Sequence, residues 1–288
     1  MAARERLEVL CARDDGHVGS FGRTIALLQT ANAKMSKPIP VKRAAVLYHG
    51  LTLSPMQFKD IAVELHARGY NVIVPRLPRH GHANRLSTSV ARLSVDELKK
   101  FTAETLAIAR GLGKHVTVVG FSLGGLLAGW IAQHEPVECA VMISPSLGSA
   151  ILSGLWNRQV ASAVLRLPNF FQWLDPLKRE RRMPEYTYPR YSTHAVANAY
   201  LFANELFEEA RASAPRAGHI TLIGNNHDVT VSNRAIAKLV ELWRAKRRDG
   251  IEAHFLQGLP ISHDIIDPLR RPWAAERVYP TLLRLLDP

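Results

Sequence analysis

His115-Val116-Thr117-Val118-Val119-Gly120-Phe121-Ser122-Leu123-Gly124-Gly125 is the stretch whose reading decides the fold. Five residues rich in β-branched side chains predict a strand over His115–Val119, and Leu123 to His134 carries a helical pattern. Between them stands Gly120-Phe121-Ser122-Leu123-Gly124, a G-x-S-x-G in a strand–turn–helix setting. Such a turn is tight, so side chains at residues 120 and 124 would collide with neighbouring backbone, and glycine is required there. The serine hydroxyl then stands above a sheet edge at the positive end of a helix, where a developing negative charge is favoured.

The same alternation extends in both directions. Ala44 to Tyr48 reads as a strand, Ser54 to Arg68 as a helix stopped by Gly69, and Asn71 to Val74 as a strand ended by Pro75. Ser94 followed by Glu97 is a capping box that opens a helix over Ser94 to Arg110. Val137 to Ile143 is a strand carrying Cys139, read as a small buried apolar residue. The alternation breaks over 149–214, where Leu152 to Leu167 and Thr193 to Ala210 are helix-like and prolines punctuate the rest. It resumes with strands at His219 to Ile223 and Glu252 to Leu256, a helix over Ser232 to Arg248, and a final helix over Trp273 to Leu286. Strands separated by helices predict an α/β fold with a mostly parallel central sheet and helices on both faces. The expected organisation is an N-terminal extension over 1–40, partly disordered, a core over 41–148 and 215–288, and a helical cap insertion over 149–214.

A chain of 288 residues with 47% hydrophobic and 22% charged residues is of ordinary globular composition, which excludes a disordered or fibrous protein. Two cysteines, Cys11 and Cys139, cannot build a disulfide framework and favour a reducing compartment, so a cytoplasmic location is expected. A secretory signal within the first 33 residues is the weaker alternative: Arg23 precedes the short apolar Ile25–Leu28, and Ala31-Asn32-Ala33 looks like a cleavage site. No apolar run approaches the ~20 residues needed to span a bilayer. The net charge of +12 is spread along the chain. Its densest runs are Lys178-Arg179-Glu180-Arg181-Arg182 and Arg244-Ala245-Lys246-Arg247-Arg248, the second closing a helix whose dipole it complements. With no zinc-finger or RNA-recognition signature, solvated faces are expected rather than a nucleic-acid site.

Serine is a poor nucleophile at neutral pH and needs a base held by an acid. In a doubly covered parallel sheet the order should be serine, acid, histidine, each just past a strand. Asn225-Asn226-His227-Asp228 follows the strand ending at Ile223, which points to Asp228 as the acid. Ile261-Ser262-His263-Asp264 follows the last strand, which points to His263 as the base. Asp264 and Asp267 are rival acids, read mainly as caps of the following segment. His227 is read as a loop residue, His254 as a strand histidine, and His115 and His134 as element-end residues with structural roles. Acyl transfer also needs two preorganised N–H donors for an oxyanion, each worth about 2.7–4 kcal/mol. Leu123 N, next to the serine, is one. Leu51 N, after His49-Gly50, is the other, with His49 available to support the loop. His80 and His82 have the spacing of a metal pair but no third ligand cluster, so a loop role is expected.

Taken together, His49-Gly50, Pro75-Arg76-Leu77-Pro78-Arg79-His80-Gly81-His82, Gly120 to Gly125, Asp228 and His263 resemble the α/β-hydrolase family, in particular its microbial carboxylesterases and monoacylglycerol-lipase-like members. The resemblance covers about 44–148 and 216–286. It implies a serine hydrolase of carboxylic esters with Ser122, Asp228 and His263 as triad, Leu51 and Leu123 as oxyanion donors, and no cofactor. Its substrate would be a small ester or an acylglycerol. One position departs from the family: Arg79 stands where a glycine usually precedes the His-Gly. The insertion carries Leu152, Leu155, Trp156, Val160, Val164 and Leu167 at helical spacing, then Phe170, Phe171, Trp173 and Leu174. Most pack the cap; the others suit an apolar acyl pocket or a lipid surface, and Arg179, Arg181 and Arg182 suit a weak contact with an anionic membrane. The same triad serves a thioesterase, an acyltransferase or a carbon–carbon bond hydrolase, whereas a haloalkane dehalogenase needs a carboxylate where Ser122 stands. A non-catalytic lipid or anion binder is the alternative of a different class.

Overall fold

The computed structural model describes residues 2–14, 16–30, 41–150, 158–175 and 183–286. A seven-stranded sheet runs through it, in the order β1-β3-β2-β4-β5-β8-β9. Its strands are β1 (Ile25–Leu27), β2 (Val41–Tyr48), β3 (Tyr70–Val74), β4 (Gly113–Phe121), β5 (Cys139–Ile143), β8 (His219–Asn225) and β9 (Ile251–Leu256). All neighbours pair in parallel except β1, which runs antiparallel to β3. The helices are α1 (Ala3–Ala12), α2 (Lys59–Ala67), α3 (Val95–Leu112), α4 (Leu123–His134), α5 (Arg158–Arg166), α6 (Thr193–Ala212), α7 (Asn233–Lys246), α8 (Trp273–Arg277) and α9 (Tyr279–Leu286). Two further strands, β6 (Phe171–Trp173) and β7 (Arg190–Ser192), pair with each other outside the sheet.

The central strands are apolar on both faces because each face is covered. Ala44, Val46 and Tyr48 of β2 join a core with α3, α4, α6 and α7, whose largest buried side chains include Trp243 and Phe202. Ala45 and Leu47, offset by one, join a second core with α2 and α9 through Phe58, Ile61 and Leu65. Period-two alternation thus sorts apolar against apolar, the expected pattern for a parallel sheet buried on both sides.

Several local expectations are refined. The helix expected over Trp273–Leu286 is two, α8 and α9, because Pro280 in the first turn of α9 has no N–H to donate and its ring clashes with the preceding turn. The capping box of α3 is half made. Ser94 Oγ accepts from Glu97 N at 3.2 Å, but the Glu97 carboxylate turns to Arg79, 3.0 Å away. Within 149–214, β6 and β7 add strand structure to a segment expected to be helical, and α6 buries Phe202, Ala203 and Leu206 in the main core. The positions of Leu152, Leu155, Trp156 and of Lys178 to Arg182 lie outside the described residues.

The described residues before β2 pack against the core and the sheet edge. Leu7 and Leu10 of α1 are buried against α3, and Ile25–Leu27, the short apolar stretch, is an edge strand. Asp14 pairs with Arg76 at 2.7 Å, almost fully buried, and accepts Thr24 N at 2.6 Å. The Ala31-Asn32-Ala33 stretch lies outside the described residues. Among the described residues no helix is long and apolar enough to cross a membrane.

The crossing of β4, α4 and β2 leaves no room for side chains at its glycines. A Cβ on Gly120 would stand 1.9 Å from the carbonyl oxygen of Gly124, and one on Gly124 would stand 1.9 Å from that of Tyr48. Both obstacles are backbone and cannot swing aside. Gly124→Ala is therefore expected to lower stability by about 3 kcal/mol or more, since overpacking here must move a central strand. The midpoint of urea unfolding, compared with wild type, measures it; a variant within about 0.5 kcal/mol of wild type would show that the crossing is not close.

Candidate active site

The turn from β4 into α4 holds Ser122 at φ 55° and ψ −113°, a left-handed backbone that a residue with a Cβ rarely adopts. Such strain costs about 1–3 kcal/mol and persists only where the surroundings impose it. Here they do. Ser122 N donates to Ile143 O at 2.9 Å, while Ser122 O accepts from Leu126 N and Ser146 N, each at 3.0 Å. The hydroxyl is consequently presented at the carboxyl edge of the sheet beside the loops that follow β5, β8 and β9.

Those loops bring the two other predicted side chains to it. His263 Nε2 lies 2.9 Å from Ser122 Oγ, and His263 Nδ1 lies 2.8 Å from Asp228 Oδ2. Asp228 Oδ1 accepts from Thr230 N at 2.8 Å and Val231 N at 3.1 Å, which fixes the orientation of the carboxylate. With the Asp228 carboxylate accepting at Nδ1, the ring proton lies there, leaving the Nε2 lone pair to accept from the Ser122 hydroxyl. Phe121 packs on the imidazole with ring centroids 4.9 Å apart.

The predicted oxyanion loop is also tied down. The N–H groups of Leu51 and Leu123 meet no acceptor among the described residues. The peptide that carries Leu51 N is held from its other end: Gly50 O accepts from Leu53 N at 3.1 Å and from His49 Nδ1 at 2.9 Å. His49 Nε2 accepts from Leu77 N at 3.1 Å, so the donor at Nδ1 follows from the tautomer. Burial drives the His49 pKa well below its ordinary value, with His80 and Arg76 adding to the effect and the Gly50 bond opposing it. Gly50 N donates to Gln57 Oε1 at 3.1 Å.

His80 proves to be a loop residue. Its Nδ1 lies 2.7 Å from Pro78 O and its Nε2 2.7 Å from Leu51 O, so both ring nitrogens face carbonyls. Arg79 adopts a left-handed backbone of the kind that suits glycine, φ 66°, and its side chain pairs with Glu97. His82 engages Tyr188 through its backbone N–H. His227 Nδ1 reaches Leu259 O at 2.8 Å, His254 pairs with Glu252, and His115 and His134 pair with Glu138 and Glu209, none of them at Ser122. Asp264 and Asp267 act as turn caps, accepting from Ile266 N and Leu269 N. Cys139 is buried, its thiol pushed up to about 12 by desolvation.

One residue at the site escaped the sequence reading. Ser146 Oγ lies 3.0 Å from Ser122 Oγ. Its signal was its place just past the carboxyl end of β5, the strand between those that deliver Ser122 and Asp228, where side chains meet the crevice of an open α/β sheet.

Comparison with known proteins agrees with this architecture. A family model described as Alpha/beta hydrolase family matches residues 45–277. The chain is 31% identical over 129 residues to Esterase YjfP of Escherichia coli (strain K12), which spans 41% of this chain and 49% of that protein. It is 27% identical over 97 residues to the Thermostable monoacylglycerol lipase of Bacillus sp. (strain H-257), 34% of this chain and 38% of that one. These matches span half or less of the relatives' length. The crystal structure of Paleococcus ferrophilus monoacylglycerol lipase superposes with a TM-score of 0.64 at 18% identity, over 84% of this chain and 93% of that one, a likeness of fold.

Beside the base loop lies a buried acid with a shifted pKa. Asp267 is 1% exposed and accepts from Tyr186 Oη at 2.6 Å. Burial pushes its pKa up from 3.8 to about 6, with the Asp264 charge adding and Tyr186 and Arg270 opposing. The folded protein therefore holds this proton where the unfolded chain has released it. The stabilisation is complete below about pH 4 and is lost as pH rises through about 6. Asp267→Asn cannot titrate, so its stability relative to wild type should rise between pH 4 and 7. His49 and His80, whose lowered pKa values cost stability below about pH 6.5, are common to both proteins and cancel. Urea midpoints of the pair across that range measure the slope; a constant difference contradicts the shift.

Proposed function

Because the chain belongs to the alpha/beta hydrolase family, we propose that it is a serine hydrolase of carboxylic esters, of carboxylesterase or monoacylglycerol-lipase type, with Ser122, His263 and Asp228 as its catalytic triad. The observation that carries the reading is the unbroken line of hydrogen bonds from Ser122 Oγ through His263 to Asp228. In acylation, Ser122 Oγ attacks the ester carbonyl carbon while its proton passes to His263 Nε2. The Asp228 carboxylate holds the imidazole and stabilises its cation. The carbonyl π pair moves onto oxygen, where the N–H groups of Leu51 and Leu123 receive it. Collapse expels the alcohol, which takes the proton from Nε2. Water then repeats the sequence on the acyl-enzyme, returning the proton to Ser122. No step calls for a cofactor.

Substrate class is read from the surroundings. Two similar proteins bear the names of an esterase and a monoacylglycerol lipase, which supports small esters or acylglycerols as substrates. The segment between β5 and α6 supports a cap: Tyr188 N donates to Thr52 O at 2.8 Å, beside Leu51, and Tyr186 reaches Asp267, four residues past His263. Leu167, Phe170 and Leu174 on that segment are exposed and suit contact with an apolar acyl chain or a lipid surface.

Hydrolysis of p-nitrophenyl esters with acyl chains of two to sixteen carbons, together with matched thioesters, tests the reading. Wild type is expected to turn over oxygen esters, with the preferred chain length reporting pocket depth. Ser122→Ala should lower kcat by about 10⁴-fold or more, and Asp228→Asn by about 10⁴-fold, with folding intact by circular dichroism. Undiminished turnover in Ser122→Ala would end the proposal.

A further inference from the structure

The contact between Ser122 and Ser146 has a direction that the site chemistry determines. Asp228 fixes the proton of His263 on Nδ1, so Nε2 accepts and the single Ser122 proton is committed to it. The only proton available between the two serine oxygens, 3.0 Å apart, is then that of Ser146. Resting on the serine-hydrolase reading, we propose that Ser146 is a further catalytic residue, whose hydroxyl donates to the nucleophilic oxygen and stabilises it as it loses its proton to His263.

The local backbone is shaped for this. Ser144 sits at φ 41°, a left-handed conformation, immediately after β5. That turn brings the chain back so that Ser146 N donates to Ser122 O, while Ser122 N donates to Ile143 O. Segment 143–146 therefore meets residue 122 through two backbone bonds and one hydroxyl bond. Ser144 itself is fully buried and its hydroxyl has no partner among the described residues, so it serves the turn rather than the chemistry. Ser146 is half-buried.

The role differs from that of the oxyanion donors. Those act on the substrate's oxygen; Ser146 acts on Oγ. A hydroxyl donating to a neutral serine oxygen makes an ordinary hydrogen bond, and the bond strengthens as the acceptor gains negative charge. Only that difference lowers the barrier. During attack the Ser122 O–H bond breaks, its proton goes to Nε2, and the Oγ electron pair forms the bond to the carbonyl carbon; the Ser146 proton stays on Ser146. When the acyl-enzyme is hydrolysed, Oγ leaves with the same developing charge, so both half-reactions are assisted. The bond also holds the Ser122 side chain in the rotamer that faces His263.

The test measures the second-order rate of labelling of Ser122 by a fluorophosphonate, and kcat and KM for a p-nitrophenyl ester, in wild type, Ser146→Ala and Ser146→Thr. Both variants keep the backbone bond from residue 146 to Ser122 O. Ser146→Ala is expected to label about tenfold more slowly and to lose about tenfold in kcat with KM within twofold. Ser146→Thr, which restores the hydroxyl, should return to within about threefold of wild type. Wild-type rates in Ser146→Ala, or a Thr variant as slow as the Ala variant, overturn the proposal while leaving the triad in place. Wild type that fails to label at Ser122 overturns the serine-hydrolase reading itself.

Discussion

At residues 120 and 124 there is no space for a methyl group, and the rest of the molecule is arranged around that fact. The first turn of α4 lies so close to β2 that a Cβ on Gly124 would collide with the Tyr48 carbonyl, and one on Gly120 with the Gly124 carbonyl. This proximity reverses the chain within one residue, so Ser122 carries the strain of a left-handed backbone. The strain is tolerable because the flanks cannot relax. β4 is hydrogen-bonded on both sides, to β2 and β5, and α4 is buried along most of its length. A cost of about 1–3 kcal/mol at one residue is small beside the burial of so many apolar side chains.

From that crossing the site is assembled by cross-ties between loops. The loop after β2 is held by His49 to the loop after β3, by His80 in the reverse direction, and by Gln57 to Asp264 beside His263. The loop after β3 is in turn anchored by Arg76, whose guanidinium binds Asp14, the carbonyl of Arg13 and the carbonyl of His80. The residues ahead of β2 thereby support the backbone expected to meet an oxyanion. Such ties matter because donors aimed before the reaction need no reorganisation during it. Burial draws the pKa values of both histidines down, and His49 supports its loop by accepting at Nε2 and donating at Nδ1.

The fold was legible because it is written in local signals of two periods. The alternation of β-branched runs with helical spacing located every central strand, and Gly120 and Gly124 declared the turn before any coordinate. Ser122, Asp228 and His263 were legible for a topological reason: each follows a strand in a sheet whose carboxyl edge gathers such loops. What stayed hidden depends on tertiary contact. Ile25–Leu27 is too short for a period to show, and it becomes a strand only by pairing with β3. Glu97 has the spacing of a capping box, but a cation from another loop takes its carboxylate. Ser146 is one serine among several in a short loop, and only the left-handed turn at Ser144 aims it at Ser122 Oγ.

The loop after β9, which carries His263, shows why tertiary ties outweigh local sequence at this edge. β4, β5 and β8 are interior strands, so the loops bearing Ser122, Ser146 and Asp228 start from positions braced on both sides. β9 is the outermost strand, and most of its side chains are only partly buried. A histidine hung from such a strand would wander by more than the few tenths of an ångström that proton transfer tolerates. The chain compensates from its neighbours. Asn225, fully buried at the end of β8, donates to Pro260 O and Ser262 O; His227 reaches Leu259 O; Arg271 reaches Ser262 Oγ. Residues 259, 260 and 262, just before His263, are thus fastened by three side chains, Asn225 holding two of them. The acid loop consequently does two jobs: Asp228 orients the imidazole directly, and its neighbours Asn225 and His227 hold the backbone from which that imidazole projects.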